Sequence, residues 1–192
     1  IVSQSISNVG AQGVAIDAGI RYVTGEQDNI KFAISLKNVG PPLSFSGDGL
    51  TLDILNPSTS LSIGMVQRSS SFELPSQLCI GTSYDFIFSE NSIITAAGSF
   101  SANSFSRDQF HFGLNWKVKT EKASFGLMGG FVYEQGIFDS NEMATALSGP
   151  CGGFSFDFPF GDSGSNLGLN YAYRQSVLGG IHTVGGRINI GN

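Results

Sequence analysis

The side chains with the chemistry for catalysis are scattered along this sequence and form no recognisable set. The histidines are His111 and His182, and serine is abundant. Acyl transfer needs a nucleophile, a base beside it and a group that orients the base, so a serine near a histidine in sequence is weak support. We therefore predict that the protein is not an enzyme. If its strands form the β-barrel that the pattern described below indicates, both histidines would line the lumen of that barrel or its rim.

Several charged residues alternate with apolar neighbours, which is the pattern of one face of a β-strand. Unpaired charge in a narrow barrel is costly, so we expect acids and bases on this face to pair into a structural network. A gated transport path is the alternative role for the same residues. The predicted lumen network consists of Asp17, Arg21, Asp85, His111, Asp157, Arg174 and Arg187.

Cys79 and Cys151 are the other candidates for chemistry, and neither points to a cofactor. They lie on well-separated predicted strands, so a disulfide between them is disfavoured by distance. No group of His, Cys, Asp and Glu has metal-ligand spacing. The glycine-rich stretch "GFSFDFPFGDSGSNLG" lacks the strand–loop–helix context of a phosphate-binding loop. The sequence predicts no metal and no other cofactor.

Composition narrows the class of protein. The 192 residues include 26 glycines and 16 phenylalanines, and only 13% of them are charged, against about 25% in an ordinary soluble domain. The net charge of −5 argues against nucleic acid as a partner. No apolar run approaches the roughly 18 residues of a transmembrane helix.

The stretch "QFHFGLNWKVK" (109–119) shows the pattern that organises the chain. Every second residue, on one parity of the strand, is large and apolar. The residues between them, on the other parity, include His111, Asn115 and Lys117. Similar segments recur along the sequence, each close to the roughly 9–11 residues that cross a bilayer as a tilted strand. We predict nine strands, at 14–23, 30–37, 78–88, 93–101, 109–119, 124–134, 151–160, 166–174 and 182–190.

The predicted connections alternate between short, turn-rich segments and mostly longer ones. In an up-and-down meander this places the short connections at one end and the long ones at the other, as in outer-membrane barrels. The longest are 38–77, which could hold its own hairpin at "LTLDIL", and 135–150. Their apolar residues are candidates for partner binding, although they could equally fold into the barrel mouth. These residues are Pro41, Pro42, Leu43, Phe45, Phe138, Met143 and Leu147.

Alternation alone does not decide whether the apolar face meets lipid or a protein core. A soluble β-sandwich alternates too, but its water-facing side normally carries more Lys and Glu than these strands do. Large aromatic residues also stand near the strand ends, as in the aromatic girdles of membrane barrels. These features favour a single antiparallel transmembrane β-barrel domain over residues 1–192. The expected lipid-facing girdle comprises Tyr22, Phe88, Trp116, Tyr133 and Tyr173.

Nine is an odd number of strands, whereas bacterial single-chain barrels close with an even number. An open edge in lipid would leave backbone groups unpaired. The start of the chain lacks a Met and a signal-peptide pattern, and strand-like sequence begins almost at once. We therefore expect an internal start and a barrel that this chain does not complete.

Three segments carry a family resemblance. They are "SISNVGAQGVAIDAGIRYVTGEQDNIKFAISLKNVGPPLSF", "ELPSQLCIGTSYDF" and "GSNLGLNYAYRQSVLGGIHTVGGRINI". In order and spacing they resemble the C-terminal part of the PorV/PorQ family of Bacteroidota outer-membrane proteins. The resemblance implies a FadL-like barrel of fourteen strands, of which about nine lie in this chain. The family's N-terminal part is absent, and the chain ends in "NIGN" instead of an aromatic residue.

The resemblance also implies a function. The expected role is a non-enzymatic component of the type IX secretion system, located in the outer membrane. It would bind lipid, a translocon barrel and the C-terminal signals of exported cargo through its outer loops. A FadL-like channel for small hydrophobic compounds is the alternative, and a soluble lectin-like sandwich is the third hypothesis.

Overall fold

A computed structural model describes residues 1–55, 61–139, 145, 147–160, 165–176 and 179–190 of the chain. The described part of the protein is all-β, as predicted, with one short 3₁₀ helix, η1. In the described ranges no helix is long and apolar enough to cross a membrane. The elements are β1 (Val2–Ile6), β2 (Val9–Gly13), β3 (Ile16–Thr24), β4 (Ile30–Val39), η1 (Asp48–Leu50), β5 (Thr51–Leu55), β6 (Ser62–Val66), β7 (Gln77–Ser89), β8 (Ser92–Asn103), β9 (Gln109–Lys119), β10 (Ser124–Glu134), β11 (Gly149–Phe160), β12 (Ser165–Ser176) and β13 (Gly179–Asn189).

Nine of the strands form one sheet in the order β13-β12-β11-β10-β9-β8-β7-β4-β3. They correspond to the nine predicted strands, with every boundary within three residues of its predicted position. Consecutive strands are neighbours, except that β7 follows β4 across the long connection. Strands β3 and β13 stand at the two ends of this order, and the described pairings do not join them.

Two hairpins lie outside the large sheet. The pair β5–β6 sits within the long connection and confirms the predicted hairpin at "LTLDIL". The pair β1–β2 was not predicted, because "VSQSISNVGAQG" has too few large apolar residues to show a strand period. Its two-residue turn contains Ser7, which adopts a φ of 51°.

The expected contrast between short and long connections holds only in part. The predicted strands 166–174 and 182–190 leave residues 175–181 as their connection, at the end where mostly longer connections are expected. Instead β12 and β13 pair as far as Ser176 and Gly179, so only residues 177 and 178 lie between them. The positive φ of 125° at Gly179 starts β13 in a backbone conformation that favours glycine.

The chain divides into two compact units. The first comprises Ile1–Ala18 and Leu36–Gln77, and the second comprises Gly19–Ser35 and Leu78–Asn192. The first unit has a small apolar core of Ala11, Leu43 and Leu74. Backbone hydrogen bonds of 2.8 Å tie Leu43 to Phe72 in both directions, which fixes part of the long connection as ordered structure.

The second unit has the opposite distribution of apolar residues. Along β9, Phe112 and Leu114 are 59% and 60% exposed, whereas the polar-parity residues between and beside them are partly buried. Among its described residues only Val132 and Ile137 are buried hydrophobics. Near the middle of β9, the large apolar side chains are therefore exposed and the residues between them are more shielded.

Candidate functional site

Backbone pairing brings the polar residues of successive strands to one side of the large sheet. His111 of β9 lies opposite Ser99 of β8 and Val132 of β10, and the alternation continues through β11, β12 and β13. We call this side, within the second unit, the polar face. Its charged residues are Arg21, Lys31, Asp85, Lys117, Lys119, Glu134, Asp157, Arg174 and Arg187.

The opposite side of the same sheet, which we call the apolar face, carries all five girdle residues. Tyr22 and Phe88 are strongly exposed on it, and Trp116 and Tyr133 are exposed to a lesser degree. Trp116 Nε1 donates a hydrogen bond to Ser92 Oγ at 3.1 Å. Trp116 and the three girdle tyrosines are amphipathic side chains, which suit a boundary between an apolar and a polar environment.

Two ion pairs hold four of the charged groups on the polar face. The Lys31 ammonium donates to the Asp85 carboxylate, which also accepts a 2.7 Å hydrogen bond from Thr95 Oγ1. Arg187 donates to Asp157 at 2.7 Å across β13, β12 and β11. The expected network thus takes the form of two separate pairs, and Lys31 and Thr95 are members that we did not include.

The other residues of the predicted network take different positions. Asp17 lies in the first unit, where its carboxylate accepts the backbone N–H of Asn38 at 2.7 Å. Arg21 and His111 line a cavity of about 420 Å³ on the polar face. His111 also borders a second, larger cavity together with Arg174.

This larger cavity has a volume of about 640 Å³ and lies over β8 to β13. Glycine and alanine on adjacent strands form its floor. Its walls include Met128, Val132, Leu147 and Ile181, and its polar groups include Asn115, Thr183 and the Cys151 thiol. Both Cys79 and Cys151 are free thiols, and Cys79 Sγ accepts a 3.6 Å hydrogen bond from Ser101. It exceeds in volume the cavity of about 420 Å³ that Arg21 and His111 line.

Glu134 is a polar-face residue that sequence reasoning missed. It ends β10 and is fully buried, and its carboxylate accepts hydrogen bonds from Gln109 Nε2 at 3.3 Å and from the backbone N–H of Thr145 at 3.0 Å. These bonds anchor the connection that follows β10. The alternation of β10 places Glu134 on the polar side of the strand. Its burial could not be predicted, because it depends on Thr145 and Ser148 of the following connection, which contact its carboxylate.

The seven candidate partner-binding residues are in diverse environments. Pro41 and Pro42 are exposed, but Leu43 is buried in the first unit's core, and Phe45 stacks on Phe72 with ring centroids 5.2 Å apart. Phe138 is 88% exposed, and Leu147 lines the large cavity. Met143 lies outside the described residues.

His182 lies on the apolar face instead of a lumen. Its Nδ1 is 2.7 Å from Tyr171 Oη, and its ring is 5.1 Å from that of Tyr173. His182 therefore has a hydrogen-bond partner in Tyr171 and a ring contact with Tyr173. In the part of the chain that the structure describes, no three His, Cys, Asp or Glu side chains are placed to hold a metal ion.

The two ion pairs differ in exposure, which predicts different contributions to stability. Lys31 and Asp85 are 27% and 17% exposed, but Arg187 is 61% exposed. Asp85→Asn removes a shielded charge that both Lys31 and Thr95 bind, so we expect it to lower the free energy of unfolding by about 1–3 kcal/mol. Asp157→Asn should lower it by less than about 1 kcal/mol, because solvent screens Arg187.

Denaturant titration in detergent, followed by the fluorescence of the single tryptophan, measures both values. The Asp157 variant is the matched control. Equal losses for the two variants would contradict the ranking drawn from exposure.

The chain was compared with protein-family profiles, with curated proteins and with solved structures, and no match was found in any of the three.

Proposed function

We propose that this chain is part of an outer-membrane β-barrel whose apolar face meets lipid. The observation that carries the proposal is the inverted burial of the second unit. Phe110, Phe112 and Leu114 lie on one side of β9 and are 45%, 59% and 60% exposed. Exposing such a continuous apolar surface to water costs about 25 cal/mol per Å², whereas in lipid that cost disappears.

Large exposed apolar surfaces mark either membrane or protein contacts. Two features favour lipid. The apolar face extends over all nine strands of the sheet, and its aromatic residues include Tyr22 and Trp116, whose polar atoms suit a membrane–water boundary. A soluble sandwich would place a second sheet on this face, and the described pairings form no second sheet of comparable size.

We further propose that the barrel contains strands beyond these nine. Strands β3 and β13 are the two edges of the sheet. Backbone groups that face hydrocarbon need partners, so both edges must be paired in a membrane. A FadL-like barrel of fourteen strands, as the family resemblance implies, would provide them.

Within that setting, we propose a PorV-like role in type IX protein secretion, in which the longer connections bind the translocon barrel or the C-terminal signal of cargo. The resemblance of the three segments supports this role. The first unit adds a structural argument, because β5 and β6 present the four apolar side chains of Leu52, Ile54, Ile63 and Met65 on one face, all exposed. An isolated hairpin of this kind is marginally stable until it packs against something.

A FadL-like channel for small hydrophobic compounds is the second candidate. The large cavity favours it, since a volume of about 640 Å³ with many apolar lining residues is within the usual range for a small-molecule site. Both candidate functions require the membrane barrel. In the secretion role the barrel binds another protein, whereas in the channel role it binds a small hydrophobic compound.

A matched pair of arginine substitutions on β9 tests the lipid-facing surface. Leu114→Arg places a charge on the apolar face near the middle of the strand and should cost about 2–4 kcal/mol, enough to impair membrane assembly. Asn115→Arg places the same charge on the polar face, beside the large cavity, and should be tolerated. Urea-resistant membrane association and heat-modifiable gel mobility measure assembly. If Leu114→Arg assembles as well as Asn115→Arg, the apolar face does not meet lipid.

A pull-down in mild detergent with mass spectrometry tests the secretion role. We expect a translocon barrel or cargo protein among the recovered partners. Phe138→Asp, at an 88% exposed aromatic residue, should reduce that recovery by about tenfold or more, as expected for an interface anchor. Lys122→Asp in a short connection is the control and should have no effect. Recovery of a correctly assembled barrel without translocon or cargo would reject the secretion role and leave the channel.

A further inference from the structure

The charge of the polar face is opposite in sign to that of the whole chain. The sequence has a net charge of −5, yet cations outnumber acids on the polar face. Its acids are Asp85, Glu134 and Asp157, and its cations are Arg21, Lys31, Lys117, Lys119, Arg174 and Arg187. A concave or enclosed surface lined by one sign of charge raises the local concentration of the opposite ion.

The acids on this face are already engaged. Asp85 binds Lys31 and Thr95, and Asp157 binds Arg187. The Glu134 carboxylate is fully buried and accepts hydrogen bonds from Gln109 and Thr145. None of these acids is left to balance the remaining cations.

Arg174 is the cation that borders the large cavity. Its cross-strand neighbours are Cys151 and Ile181, and no Asp or Glu is among the residues that line the cavity. Within the described ranges, no carboxylate lies within ion-pair distance of its guanidinium. A partly buried guanidinium without a counter-charge is unfavourable, and a bound anion would relieve that cost.

The small residues beneath Arg174 provide the room for such an anion. Gly113 and Gly130 lie in register with Ala97 and Cys151 on the neighbouring strands. A Cβ atom on Gly130 would approach Cys151 Sγ to 3.2 Å and the backbone oxygen of Phe112 to 2.9 Å, so any larger residue there would crowd the floor. Arg174 lines the open space of the cavity together with these small residues.

We propose that the large cavity is a binding site for a compact oxyanion, such as a phosphate or sulfonate group, held by Arg174. A guanidinium presents paired N–H donors that match the oxygens of such groups. Thr183 and Asn115 line the same cavity and supply further hydrogen-bonding groups. The site depends on Arg174 and the glycine floor, and it does not depend on which partner the connections bind.

The native thiol of Cys151 lies in this cavity and serves as its probe. In a Cys79→Ser background, the full protein in detergent is treated with methanethiosulfonates of equal size bearing a sulfonate or a trimethylammonium group. Each rate is divided by that of the same reagent with a free small thiol. We expect the normalised rate of the sulfonate to exceed that of the trimethylammonium reagent by about tenfold, the effect of one charge-assisted contact.

Variants of Arg174 assign the preference to that residue. Arg174→Gln should bring the two normalised rates within about twofold of each other, and Arg174→Lys should retain most of the preference, since it keeps the charge. Millimolar inorganic phosphate should slow the labelling of Cys151 in the Arg174 protein and not in the Gln variant. Tryptophan fluorescence checks that each variant is folded.

Three results would overturn the proposal. One is equal or reversed normalised rates in the protein with Arg174. Another is a sulfonate preference that survives Arg174→Gln. The third is labelling of Cys151 only after unfolding, which would show that the cavity does not admit anions.

Discussion

The register of the antiparallel ladder decides which side chains share a face, and the remaining features of the second unit depend on it. From Thr95 of β8 through Asn115 of β9 to Met128 of β10, each pairing keeps one parity together. A shift of one residue would move every polar side chain to the opposite side. The register therefore creates an apolar face and a polar face in a single step.

The two faces impose different requirements on residue size and charge. The apolar face carries bulky side chains such as Phe112 and Phe154, which are exposed. The polar face has glycine, alanine and serine near its centre, so open space is left there. Charges on the polar face pair where a partner lies within reach, as Asp85 does with Lys31. Arg174 has no such carboxylate among the described residues, and it lines the large cavity.

The strands of the large sheet could be predicted from the sequence because period-two alternation is a local signal. Residues 109–119 and 124–134 match β9 and β10 at both ends. Side-chain partners were harder to predict, because a contact such as Lys31 with Asp85 depends on which strands are neighbours across the long connection. The buried carboxylate of Glu134 depends on the fold of a loop, and loops carry no periodic signal. Its place in a long connection makes Leu43 a candidate for partner contact, yet it is buried because β2 and the segment around Leu74 pack on it.

The central claim is that the apolar face of the sheet lies against lipid, and spin labelling along β9 tests it most directly. Single labels at positions 110 to 118, in a cysteine-free background reconstituted into vesicles, are measured for collision with oxygen and with a water-soluble nickel complex. The account predicts oxygen maxima at 110, 112, 114 and 116 and nickel maxima at the alternate positions. Nickel maxima at the positions of Phe110, Phe112, Leu114 and Trp116 would contradict it.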